Sequence, residues 1–203
     1  MGGHAAGEVA SALMIAALAP LDQAAGGDVL ARLENAVLQG NSAIAEHVGR
    51  STETAGMGTT LTALLFEGAR FGLAHVGDSR AYRLRGAQLS QLTHDDTFVQ
   101  SLVDGGYITA EEARTHPRRS VILRALTGAV IAPTLVLGHA EVGDRFLLCS
   151  DGLSDVVPAD RIEQTLTAAR TVDECAEQLI ELALDGGGPD NVTVVVADLV
   201  ATD

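Results

Sequence analysis

Three apolar runs of strand character, each meeting an aspartate flanked by small residues, constrain this chain more than any other feature. One run leads into Gly77-Asp78-Ser79-Arg80, a second leads into Ser150-Asp151-Gly152, and a third follows Gly188-Pro189-Asp190-Asn191. Carboxylates held at strand ends, with little side-chain bulk around them, suit hard divalent cations such as Mg²⁺ or Mn²⁺. The alternative is that Asp-Gly and Pro-Asp only form turns. Three such motifs in one small chain favour a metal site.

Charge and composition limit the class of this 203-residue protein. A hydrophobic fraction of 47% predicts one globular domain. The formal net charge of −14 argues against binding to nucleic acid or to anionic membranes, because those partners need a basic patch. Cys149 and Cys175 fall inside apolar segments and are expected to be small buried residues, not disulfide partners. Residues 9–18 are apolar but too short to span a bilayer, and no basic leader precedes them, so we expect a cytoplasmic protein.

The spacing of apolar residues predicts an α+β fold. Helical periodicity predicts helices over residues 7–18, 28–49, 96–103, 109–116, 160–166 and 172–184, with Asp28 and Asp96 as N-caps and a capping box at Thr109. Short, turn-bounded apolar runs predict strands over residues 59–66, 70–76, 81–84, 88–92, 134–137, 145–150 and 191–199. The first four strands read as one β-meander. We therefore expect antiparallel sheets with helices on their outer faces.

Two further patterns bear on the candidate metal site. Asp151 and Asp155 are four residues apart, so a helical turn would direct both carboxylates to one side, where they need a compensating cation or hydrogen-bond donors. The alternative for Asp155 is an ordinary exposed acid before the loop at Pro158. Three glycines at 186–188, followed by Pro189, impose an unusual backbone path, which suits a close approach of the chain to a ligand.

Six motifs, in order along nearly the whole chain, resemble those of the metal-dependent protein serine/threonine phosphatases of type 2C, in their compact bacterial form. They are residues 1–11, 58–63, 75–82, 118–128, 149–155 and 188–193. The resemblance implies a four-layer sandwich of two antiparallel β-sheets flanked by helices, with a catalytic domain over residues 1–203 and a helical flap insert at about residues 95–120. It also implies hydrolysis of phosphoserine and phosphothreonine in proteins by a water that two Mn²⁺ or Mg²⁺ ions activate.

The same resemblance suggests roles for individual residues. Asp151 and Asp190 correspond to the catalytic carboxylates on the first metal ion. Asp78 and Asp155 correspond to ligands of a third, weaker metal ion or of the water shell around the metals, and Ser120 in the flap is a further candidate ligand of that ion. Asn191, beside the last ligand, has a supporting role. The implied partners are phosphorylated proteins, including Ser/Thr kinases that the phosphatase opposes, and the chain is expected to be a monomer.

One departure from the family pattern lies at the start of the chain. The family motif reads Asp-Gly-Met-Gly-Gly, and this sequence opens at its Met, so the Asp that bridges two metals and the upstream strand pair are not in it. We expect the chain as given to bind the first metal weakly and to hydrolyse little. Met1 occupies the position of a His proposed as general acid in eukaryotic relatives, and His4 is expected to be structural.

Two other functions remain open from the sequence. A chain without the bridging carboxylate is also compatible with a non-catalytic phosphoprotein-binding or regulatory module. A phosphatase that acts on a regulatory anti-sigma antagonist has the same motifs, because specificity lies in the flap and in partner surfaces. Arg118 and Arg119 either meet substrate phosphate or are a solvated arginine pair.

Overall fold

The structure is a computed structural model that describes residues 6–23, 26–51 and 54–201, so Met1 and His4 lie outside the described residues. The chain divides into two compact units, Met1–Gly77 with Asp96–His139 and Asp78–Asp95 with Ala140–Asp203. Each unit contains one antiparallel sheet with its own helices, which confirms the predicted α+β class. Within the described ranges, none of the helices combines the length and apolar character needed to cross a bilayer.

The helices and strands follow the predicted order. The helices are α1 (Gly7–Leu18), α2 (Val29–Arg50), α3 (Phe98–Asp104), α4 (Ala110–Thr115), α5 (Asp151–Ser154), α6 (Ala159–Ala168) and α7 (Val172–Asp185). The strands are β1 (Leu61–Glu67), β2 (Arg70–Val76), β3 (Arg80–Arg85), β4 (Gln88–Gln91), β5 (Thr134–His139), β6 (Arg145–Cys149) and β7 (Val194–Asp198). The last strand begins three residues later than predicted. Asn191 and Thr193 instead make hydrogen bonds to the Ser150 hydroxyl.

In the first unit, α1 and α2 pack against each other, and α2 packs on a sheet of order β1-β2-β5. The predicted N-cap of α2 is confirmed, since the Asp28 carboxylate accepts hydrogen bonds from the amides of Leu30 and Ala31. Leu33 and Ile44 of α2 are fully buried in the core of this unit, as their helical spacing requires. Burial of this apolar face, more than intrinsic propensity, stabilises the long helix.

The predicted cap of α3 was wrong. Thr97, not Asp96, caps this helix, and its hydroxyl accepts from the amide of Gln100 at 3.2 Å. The Asp96 carboxylate is already occupied, because it accepts from the Gly77 amide at 3.0 Å and from Arg124 at 2.9 Å. The capping box of α4 at Thr109 is confirmed.

The second unit contains a sheet of order β4-β3-β6-β7, with α7 packed on β7 and α6 on β3. The predicted four-strand meander was wrong, because β1–β2 and β3–β4 are hairpins of two different sheets. The chain leaves the first sheet at Gly77, whose φ of +110° and close packing on Thr60 exclude a side chain there. Cys149 and Cys175 are free and buried as predicted, and burial raises the pKa of the Cys149 thiol to about 12.

Candidate metal centre

Three of the candidate aspartates lie next to one row of paired residues in the second sheet, the row in which three strands begin or end. Antiparallel pairing places Arg80, the first residue of β3, opposite Cys149, the last residue of β6. Cys149 in turn pairs with Val194, the first residue of β7. The chain just outside this row carries Asp78 before β3, Asp151 after β6 and Asp190 before β7. The sheet register therefore brings all three motifs to the same sheet end.

Asp78 is the most buried of these carboxylates, with 8% of its surface exposed. Burial, followed by the charges of Asp151, Asp95 and Asp155, raises the pKa of Asp78 to about 6. The carboxylates are thus close enough to repel one another. Either protonation of this carboxyl group or a bound cation lowers the free energy of such a buried charge.

Asp151 and Asp155 occupy the two ends of the short helix α5. Asp151 is its first residue, and its carboxylate accepts from the Gly152 amide at 2.9 Å. Asp155 is the C-cap and is exposed to solvent, yet its charge contributes to the raised pKa of Asp78. The predicted helical turn is confirmed, and Asp155 is an exposed acid that still faces the same carboxylates.

Asp190 and Asn191 lie on an exposed segment that is tied to the start of α5. The Ser150 hydroxyl donates to the Asn191 carbonyl oxygen at 3.1 Å, and the Asn191 amide donates to Asp190 at 2.7 Å. Upstream, Gly187 and Gly188 adopt φ values of +108° and +51°, the unusual backbone path predicted from the glycine run. These contacts hold the segments that carry Asp151 and Asp190 side by side.

Gly152 permits this close approach, and its replacement is a direct test. A Cβ atom at Gly152 would overlap the carbonyl oxygen of Asn191 and lie 2.9 Å from its carbonyl carbon. Because the obstacle is backbone, we expect Gly152→Ala to destabilise the chain by about 1–3 kcal/mol in thermal unfolding followed by circular dichroism. Gly49→Ala is the matched control, since a Cβ there has nothing within 4 Å and alanine favours the helix by up to about 1 kcal/mol. Equal stability of the parent and Gly152→Ala would contradict the close approach of Gly152 to the Asn191 backbone.

A partly buried ion pair near Asp78 was not predicted from the sequence. The Arg80 guanidinium donates to both oxygens of Asp95, at 3.0 Å from Nε to each and at 2.6 Å from its terminal nitrogen to one. It also donates to the Tyr82 hydroxyl at 3.3 Å. Burial opposes the charge of Arg80, but the hydrogen bonds to Asp95 outweigh it and raise the pKa of the guanidinium. No local pattern singled out Arg80, because it is one of three arginines in β3.

Ser120 and the arginine pair belong to the first unit. Ser120 follows α4 and lines an open cavity of about 820 Å³ together with Arg124 and Thr127. The Arg118 guanidinium lies 3.8 Å from the centre of the Phe98 ring, a cation–π contact, so it is not simply solvated. The roles of Ser120 and of both arginines toward metal or phosphate stay predictions.

The aspartates fit a hard divalent cation in donor type and in charge, but they do not form a complete ligand set. Carboxylate oxygens are the ligands that Mg²⁺ and Mn²⁺ prefer, and burial, followed by the nearby carboxylates, raises the pKa of Asp78. Among the described residues, however, no three Asp, Glu, His or Cys side chains come together closely enough to hold a metal ion.

The arrangement of these motifs agrees with the comparison to known families. The family model described as Protein phosphatase 2C matches residues 2–183. This chain belongs to that family. The type 2C resemblance inferred from the six motifs is therefore confirmed, and so is the two-sheet α+β fold that it implied.

Curated relatives in the type 2C family are similar along the whole chain. The serine/threonine protein phosphatase PstP of Mycobacterium tuberculosis is 62% identical over 204 residues, which cover 100% of this chain and 40% of that protein. The chain thus spans less than half the length of that relative. A serine/threonine phosphatase of Listeria monocytogenes is 37% identical over 205 residues, covering 98% of this chain and 81% of that protein.

Solved structures of type 2C phosphatases have the same fold. The crystal structure of the M. tuberculosis PstP/Ppp phosphatase superposes with a TM-score of 0.96 at 62% identity, covering 99% of this chain and 86% of that one. The PstP catalytic domain in complex with two manganese ions gives a TM-score of 0.92 at 60% identity, covering 99% of this chain and 85% of that one.

Proposed function

We propose that this chain hydrolyses phosphoserine and phosphothreonine in proteins, using Mn²⁺ or Mg²⁺ ions at the end of its second sheet. The observation that supports this most directly is the register of β3, β6 and β7, which brings Asp78, Asp151 and Asp190 to one sheet end. A type 2C relative that is 60% identical has been solved with two manganese ions.

The residue roles follow the family resemblance. Asp151 and Asp190 hold the first ion, while Asp78 and Asp155 hold a third ion or its water shell. Ser120 is a further candidate ligand of that third ion, and Asn191 supports Asp190. When bound, the ions supply an activated water and neutralise the charge that develops on the phosphoryl oxygens.

The surrounding residues of the chain prepare this arrangement. The Arg80–Asp95 pair holds a second buried carboxylate in place beside Asp78. Gly152 lets the Asp151 turn approach the backbone next to Asp190. Both features fix carboxylates before a metal arrives, which lowers the reorganisation that binding requires.

The substrates and the setting are part of the same proposal. Phosphorylated proteins are the substrate class that the relatives' names suggest. Ser/Thr kinases among them stay a prediction from the family resemblance. Action as a monomer in the cytoplasm stays a prediction from the sequence.

The proposal predicts hydrolysis that depends on a divalent cation. We expect the chain to release phosphate from p-nitrophenyl phosphate and from a phosphothreonine peptide with added Mn²⁺, and the release to stop when a chelator removes the ion. The same assay on a version that carries the family's Asp-Gly before Met1 tests whether that Asp raises turnover. If neither protein releases phosphate while both are folded, the phosphatase assignment is wrong, and binding of the intact phosphopeptide would then identify the regulatory alternative.

A further inference from the structure

We propose that Ser150 is a positioning residue that sets the spacing between Asp151 and Asp190, and thereby the affinity for the metal ion. This inference rests on the proposed function. Ser150 lies between Cys149, which ends β6, and Asp151, which begins α5. Its location alone is ordinary, because serine is a common residue immediately before a helix. What distinguishes Ser150 is the set of groups to which its hydroxyl forms hydrogen bonds.

The Ser150 hydroxyl does not cap its own helix. A serine at this position normally accepts a hydrogen bond from an amide in the first turn, but here no such bond is made. The hydroxyl instead donates to the Asn191 carbonyl oxygen at 3.1 Å and accepts from the Thr193 amide at 3.0 Å. One small side chain therefore uses both a donor and an acceptor on the neighbouring segment.

The two hydrogen bonds of the Ser150 hydroxyl, here called the Ser150 bridge, begin where the pairing of β6 with β7 ends. The ladder between β6 and β7 ends at the pair Cys149 and Val194. Beyond it, the Ser150 amide still donates to the Thr193 carbonyl oxygen at 3.0 Å, and the two hydroxyl bonds continue the connection. Asp151 and Asp190 each lie one residue past the bridge on their own segments. A change in the bridge is therefore passed to both carboxylates through single peptide units.

The opposing view is that the hydroxyl only completes the end of the sheet. The two views differ in what a substitution changes. Residues that orient metal ligands without touching the metal typically alter metal affinity by about 10–100-fold. A hydroxyl that only satisfies backbone groups alters unfolding and leaves the affinity of the folded protein for the ion unchanged.

The test compares Ser150→Ala with Ser150→Thr and with Ser42→Ala in the full chain. Ser42 is the matched control, because its hydroxyl also donates to a backbone carbonyl, that of Leu38 at 2.9 Å, within α2. Mn²⁺ binding is measured by titration calorimetry, and metal-free unfolding by circular dichroism. We expect Mn²⁺ affinity to fall about tenfold or more in Ser150→Ala, to stay unchanged in Ser42→Ala and to be largely restored by the hydroxyl of Ser150→Thr.

A second readout does not depend on metal. Amide hydrogen exchange of Thr193 in the metal-free chain is expected to become faster in Ser150→Ala and not in Ser42→Ala, because its acceptor is removed only in the former. Parental Mn²⁺ affinity in Ser150→Ala would overturn the positioning role. If the parent itself shows no Mn²⁺ binding, the proposed function fails, and unchanged Thr193 exchange would separately overturn the bridge.

Discussion

Asp151→Asn is expected to lower Mn²⁺-dependent hydrolysis of a phosphothreonine peptide by about a hundredfold or more. Asparagine keeps the size of the side chain and one oxygen, but it removes the negative charge that a hard cation requires. Stabilisation of transition-state charge by a metal ion is worth several kcal/mol, and each 1.36 kcal/mol corresponds to about tenfold in rate. The measurement is initial rate against Mn²⁺ concentration for the parent and the variant.

Asp185→Asn is the control for this substitution. It makes the same change of charge at an exposed aspartate at the end of α7 in the same unit, outside the proposed ligands. We expect parental rates from it. Mn²⁺ binding measured by titration is the second readout, and it should weaken only in Asp151→Asn. Parental rate and affinity in Asp151→Asn would show that Asp151 is not a ligand.

The order of helices and strands could be predicted because each segment carries its own periodicity. The helical spacing of Leu33, Val37 and Ile44 already defines the buried face of α2, and the alternation from glycine-rich turns to apolar runs defines the strands. The division of four strands between two sheets could not be predicted in this way. It depends on the turn at Gly77, which has a positive φ and packs closely against Thr60. That packing is seen only in three dimensions.

The candidate site was predictable to a similar extent. Asp78, Asp151 and Asp190 were recognisable because each is flanked by small residues next to an apolar run. Their neighbours were not, because Asp95 is 15 residues from Arg80 and Ser150 is 43 residues from Thr193 in the chain. Contacts at such separations follow from strand register, which local patterns do not specify. The same limit explains why Asp96 was assigned to a helix cap.

Asp78→Asn is expected to stabilise the metal-free chain at about pH 8 by roughly 2–3 kcal/mol. The folded-state pKa of Asp78 is about 6, against 3.8 for the ordinary side chain, so folding favours the protonated form. The contribution of Asp78 to the free energy of unfolding is fully present below the pKa of its unfolded state. It is lost as the pH rises through the pKa of the folded state. At about pH 8 the parent must keep a charged carboxylate buried beside Asp151 and Asp95, and a difference of about two pKa units corresponds to about 3 kcal/mol at most.

Urea unfolding of the two proteins at about pH 8 and about pH 3.5 distinguishes this cause from a general effect of the substitution. We expect most of the gain in Asp78→Asn to disappear at the lower pH, where Asp78 of the parent is protonated in the folded state and largely protonated in the unfolded state. Asp185→Asn, at an exposed position, should show no such dependence. Saturating Mn²⁺ should also narrow the gap at about pH 8, because a cation stabilises the charged parent and not the amide. An equal gain at both pH values would mean that packing, and not the buried charge, sets the stability of this sheet end.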